Sequence, residues 1–165
     1  MDFTYTFYQN LVSRLQDGGY TISDYHSYGK FDKVAILRHD VDMSIDKALK
    51  MAQMEHEIGV CSTYFFLIST DFYNIASKSS VSKISRIHDL GHEIGLHFDE
   101  VKYGNISNPG GVLPYLHNEI KTMEMILGIP IRSVSMHRPS KETLEADYDF
   151  GHIVNSYSRT FFRDF

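Results

Sequence analysis

The chain has 165 residues, 42% of them hydrophobic, with four prolines and one cysteine, which is the composition of one folded globular domain. A net charge of -5 at pH 7, with lysines and arginines scattered rather than clustered, leaves no basic footprint for nucleic acid, and the single cysteine, Cys61, excludes an internal disulfide. No apolar run approaches the roughly 20 residues of a membrane span, and the opening MDFTYTFYQN lacks the cationic start and apolar core of a signal peptide, so the chain is expected to be cytoplasmic.

In chain order, Phe3, Phe7, Leu11 and Leu15 recur every fourth residue and predict an amphipathic helix over 3–17, stopped by Gly18 and Gly19. Val34 to Leu37 begin a short buried strand that runs to 39. Ser44 caps the next helix, whose apolar side carries Ile45, Leu49, Ala52 and Ile58 and which ends at Gly59. The run STYFFLI, 62–68, is the bulky sequence of a strand covered on both faces, which completes a βαβ unit. The rhythm repeats with a helix around Val81 to Leu90 and the strand EIGLH at 93–97. GNISNPGGVLP, 104–114, reads as a loop long enough to be a lid or substrate loop. A helix through Leu116, Ile120, Met123 and Leu127 follows, then the strand IRSVSMH at 131–137 and a last one in HIVNSY at 152–157. The fold class is therefore α/β, with five parallel strands joined by helices. Length favours an open sheet over a closed (β/α) barrel, and the aromatic ending TFFRDF raises the expectation that the chain is a fragment of a longer one.

Three predicted strands end in polar clusters: RHDVD at 38–42, LHFDE at 96–100 and MHRPS at 136–140. Ligands of parallel α/β proteins bind outside the carboxyl ends of the strands, so these clusters converge on one mouth. Histidine with carboxylate there is the ligand chemistry of zinc or a similar divalent ion. Taken singly, Asp42 reads as a turn or cap residue and His97 as a hydrogen-bonded structural histidine; the agreement of three strand ends points to a metal. His26, His56, His88, His117 and His152 fall in loops, on helix surfaces or at strand starts and receive no role.

Together, RHDVD, GHEIGLH and HRPS resemble the motifs of the polysaccharide deacetylase (NodB-like, carbohydrate esterase family 4) superfamily, over about residues 34 to 157. The resemblance implies a distorted (β/α) barrel of about seven strands, of which this chain would hold the first five as a single domain, 1–165, lacking its C-terminal strands. It also implies a metal-dependent hydrolase that removes an N-acetyl group from a sugar or polysaccharide intermediate. By the same resemblance, Asp40 matches the catalytic base, Asp42 a metal ligand and His97 the first histidine ligand. Arg138 matches the arginine that pairs with the base and holds it ionised.

The chain departs from the family's pattern in three places. The second histidine ligand, four residues after the first, is replaced by Val101, so the third ligand is expected from His137, with Asp99 and Glu100 as alternatives. No residue matches the family's general acid, which leaves a missing segment, His39 or His137. Arg38 and His39 stand where the family carries apolar or hydroxyl residues, the mark of a divergent branch. The expected cofactor is a divalent ion, zinc foremost, and the expected partner an N-acetylated sugar or polysaccharide. Tyr103 and Tyr115 are candidate stacking surfaces for it. A homo-oligomer would cover the edges of an unfinished barrel. Two other readings stand beside this one: a hydrolase of another non-peptide C–N amide bond, and a non-catalytic carbohydrate-binding homologue.

Overall fold

The computed structural model describes residues 4–104 and 109–162. Helix α1 (Tyr5–Asp17) starts where the Thr4 side chain accepts from the Phe7 N–H at 3.1 Å, and it stops at Gly18 and at Gly19, whose φ of +81° favours glycine. The helix is where the periodicity predicts it, but its packed face is not. Phe7 and Leu11 are exposed, and Val12 is buried with Tyr8 and Leu15 half-buried beside it. The reason is a polar anchor, because the Tyr8 hydroxyl reaches the carboxylate of Glu55 beneath the helix.

The hydrophobic run after residue 33 divides at Leu37 into two strands. β2 (Val34–Ile36) pairs with β1 (Thr21–Ser23), which is too short and too polar to stand out in the sequence. β3 (Arg38–Val41) pairs with β4 (Thr63–Phe66). Between them lies α2 (Ile45–Glu57), with Ser44 capping it through the Lys47 N–H. Then come α3 (Lys78–Asp89), β5 (Glu93–Asp99), α4 (Pro109–Leu127), β6 (Ser133–His137), α5 (Lys141–Ala146), β7 (Val154–Asn155) and α6 (Arg159–Phe162).

The expected loop over 104–114 is corrected by α4. Residues 109–114 are helical, opened by Pro109, which suits a first helical position, and Pro114 forgoes one hydrogen bond further on. Residues 105–108 lie outside the described residues. Among the described residues no helix is long and apolar enough to cross a membrane.

The larger sheet has the order β3-β4-β5-β6-β7 with every pair parallel. Neighbours in sequence are neighbours in space, without the reversal of a doubly wound sheet, so the fold is the barrel kind that the motifs imply rather than the open sheet that length favours. Side chains alternate across it. Tyr64, Phe66, Ile94, Leu96, Phe98, Val134 and Met136 join Ile84, Ile87, Leu116 and Met123 of the helices in the apolar core. The alternate positions, Arg38, Asp40, Phe65, Glu93, Gly95, His97, Ser133, Ser135 and His137, line the inner face. That face is mostly polar, which is costly unless the groups are paired or bind something.

Candidate metal centre

Asp42 follows the last residue of β3, and the backbone leaving that strand is pinned: Tyr73 Oη donates to the Val41 carbonyl at 2.7 Å and Thr70 Oγ1 to the Asp42 carbonyl at 3.4 Å. His97 stands on β5 and His137 ends β6. Their ligating atoms form a near-regular triangle: His97 Nε2 lies 3.3 Å and His137 Nδ1 3.4 Å from Asp42 Oδ1, and the two nitrogens are 3.1 Å apart. Ligands at about 2.0–2.1 Å from a tetrahedral zinc stand about 3.3–3.4 Å from one another, so the triangle has the size of one tetrahedral face.

Two further observations fit a cation here. Asp42 Oδ1 is shut off from solvent yet accepts no hydrogen bond, a state that costs free energy unless something charged faces the atom. His97 Nδ1–H donates to the Ser135 carbonyl at 3.2 Å, which fixes the tautomer and turns the Nε2 lone pair to the centre. Burial pushes the His97 pKa below its ordinary value, against the pull of the Asp40 charge, and so favours the neutral, ligating form. Among the described residues, Asp42, His97 and His137 are the group of this chemistry that converges on a point.

The alternative ligands are engaged elsewhere. Asp99 accepts from the Val101 N–H at 3.2 Å and pairs with Arg138 at 2.7 Å. Glu100 is buried and accepts from the Ser140 N–H at 2.5 Å and from the Thr143 hydroxyl, which ties the start of α5 to the end of β5. Val101 is exposed in the short 3-10 turn Glu100–Tyr103.

Asp40 sits beside this triangle, but its partner is not the expected one. Arg138 pairs with Asp99, its side chain is 64% exposed, and a φ of +49° turns it away from β6. The guanidinium on Asp40 belongs to Arg38, two residues earlier on the same face of β3, with Nη2 at 2.5 Å from Oδ2. The same Nη2 lies 2.7 Å from Ser135 Oγ, which donates to Asp40 Oδ1 at 3.1 Å. The alternation Ser133, Ser135, His137 already places Ser135 on the functional face, a signal the motifs overshadow.

His39 points to the opposite side of β3 and cannot serve as the acid at the mouth. Its Nε2 meets Glu55 at 2.7 Å, and that buried carboxylate also accepts from Tyr8, Ser62 and Tyr64. Beside the triangle, a cleft of about 330 Å³ is bordered by Asp71, Phe72, Lys102 and Arg138, with the Phe72 ring largely exposed. Tyr103 and Tyr115 stack on each other at 4.2 Å, and Tyr103 also donates to Glu119, so these rings are partly spent on one another.

No family model and no curated relative matches the chain. Solved structures do. Streptococcus pyogenes deacetylase PplD, in complex with acetate, superposes with a TM-score of 0.56 at 14% identity over 81% of this chain and 63% of that one. A family 4 carbohydrate esterase from Bacillus anthracis gives 0.54 at 19% identity, over 94% and 70% of the two chains. A CE4 family pseudoenzyme from Bacillus anthracis gives 0.52 at 14% identity, over 73% and 41%. The chain thus spans less than two thirds of the length of PplD and of the pseudoenzyme. It has the α/β fold of the family 4 carbohydrate esterases.

Proposed function

We propose that the chain is a metal-dependent hydrolase that removes an N-acetyl group from a sugar or polysaccharide intermediate. The reading is carried by the face-sized triangle of Asp42 Oδ1, His97 Nε2 and His137 Nδ1, with the Asp40 carboxylate joined to it through Ser135, whose carbonyl accepts from His97 and whose hydroxyl donates to Asp40. A divalent ion held there, zinc foremost, supplies a Lewis acid that acidifies water and polarises the acyl carbonyl. The remaining chemistry belongs to the chain's own side chains. Asp40, held by Arg38 and Ser135 and still 27% exposed, accepts the proton of the attacking water. The water oxygen bonds to the acyl carbon, the amide C–N bond breaks, the proton taken up by Asp40 passes to the departing nitrogen, and acetate and a free amine leave. Phe72 offers a ring face to a sugar, and Lys102 and Arg138 offer donors to its hydroxyls at the rim of the cleft. Two structural relatives, a deacetylase and a carbohydrate esterase, belong by name to the same reaction class.

The test is acetate release from a panel of N-acetylated monosaccharides and oligosaccharides by zinc-loaded protein. Release should cease on chelation and fall about 100 to 10,000-fold in Asp40→Asn, the range of a general base, with the metal retained. Amine release without acetate would transfer the reaction to another non-peptide amide. Val101, in place of the second histidine, motivates a non-catalytic carbohydrate-binding homologue, which predicts sugar binding that survives chelation and no hydrolysis of any panel member.

A further inference from the structure

We propose that Arg38, in place of Arg138, is the residue that positions Asp40, with Ser135 as the second arm of the clamp; as a statement about catalysis this rests on the hydrolase reading above. An arginine beside an aspartate on a protein surface would carry no such weight, because exposed pairs contribute little and hold no fixed geometry. Arg38 is different. Its guanidinium plane is fixed on every side: Nη2 bonds Asp40 and Ser135, Nη1 bonds Ser156 Oγ at 3.2 Å, and the group lies over the rings of Tyr157 at 5.0 Å and Phe65 at 5.5 Å. These partners come from β3, β4, β6 and the segment after β7, so the fork is set by the barrel itself.

The consequence is a carboxylate with both oxygens held, Oδ2 by Arg38 and Oδ1 by Ser135. Its orientation is fixed before any substrate arrives, which is the preorganisation that a general base needs. Arg138 cannot share the task while it sits on Asp99 at 2.7 Å. A lysine at 38 would keep the charge but not the planar fork that reaches Asp40, Ser135 and Ser156 together.

The experiment compares the zinc-loaded wild type with Arg38→Met, Arg38→Lys and Arg138→Met, by crystal structure and by kinetics. In Arg38→Met the Asp40 carboxylate should leave its position, whereas in Arg138→Met it should stay. On an N-acetylated substrate, Arg38→Met should lower kcat about 10 to 100-fold, the scale of a misplacement near 1 Å, with KM changed less than about twofold and zinc content unchanged. Arg38→Ala should lose kcat to a similar extent, and guanidinium ion added to it should restore part of its loss. If Arg38→Met does not fold, Arg38→Lys carries the comparison, with a displaced Asp40 and a smaller fall in kcat. An Asp40 that keeps its place without the Arg38 fork, or that moves in Arg138→Met instead, overturns the proposal. The structural arm decides it even if the wild type releases no acetate, so a failure of the hydrolase reading is not mistaken for a failure of this one.

Discussion

Replacing Glu55 by glutamine should destabilise the protein by about 3 kcal/mol at neutral pH. Glu55 is fully buried on α2, and its carboxylate gathers Tyr8, His39 at 2.7 Å, Ser62 at 2.7 Å and Tyr64 at 2.6 Å. Burial by itself would raise its pKa, but His39 and the hydroxyl donors outweigh that and hold it at about 2. An unfolded glutamate titrates near about 4.3, so the stabilisation is complete above that pH and is lost as the pH falls through the folded value. The difference, at about 1.4 kcal/mol per pKa unit, gives the figure of about 3 kcal/mol. For a chain of this size it corresponds to a fall of about 6–12 °C in Tm. Thermal and urea unfolding at pH 7 and pH 3 measure it. The gap between wild type and Glu55→Gln should be full at pH 7 and shrink to roughly half at pH 3, as linkage requires. A fall of less than about 2 °C at pH 7, or a gap that does not change between the two pH values, would mean that the ionised Glu55 carboxylate does not stabilise the fold. The network matters to the site because His39 and Asp40 are neighbours on opposite faces of β3, so anchoring one fixes the register of the other.

Two further substitutions probe the frame around the site. In Gly95→Ala the new Cβ would meet Phe65 Cε1 at 2.5 Å and the Ser133 carbonyl at 3.0 Å, so overpacking should cost about 1–3 kcal/mol in urea unfolding. The Phe65 ring also supports Arg38, and the variant should lose kcat as well. Glu100→Ala leaves the Ser140 N–H and the Thr143 hydroxyl without their acceptor, which costs about 1–3 kcal/mol. Hydrogen exchange over residues 140–146 should quicken about tenfold or more while the strands keep their protection.

The parts of this molecule that were legible in the sequence are those written in local patterns. STYFFLI and EIGLH announce buried strands, Ser44 and Gly59 bracket α2, and three strand ends rich in histidine and carboxylate mark the mouth where Asp42, His97 and His137 meet. What stayed hidden depends on contacts made far along the chain. Tyr8 finds Glu55 across 47 positions, which turns α1 away from its most apolar stripe. Asp99 and Glu100 have the right chemistry for a ligand but are occupied by groups about 40 residues later. Leu37 carries no punctuation to show that one hydrophobic run serves two sheets. Arg138 finds Asp99 across 39 positions, a contact that no local pattern announces, whereas the two-residue spacing of Arg38 and Asp40 already puts them on one face of β3.

Elemental analysis after zinc loading decides the ligand set, on the wild type beside Asp42→Ala, His97→Ala and His137→Ala. The wild type should hold about one equivalent of zinc, as one ion on one tetrahedral site requires, and each of the three variants should lose it, His137→Ala included. A full equivalent retained in His137→Ala would remove His137 from the ligand set, and no zinc bound by the wild type would mean that Asp42, His97 and His137 hold no zinc.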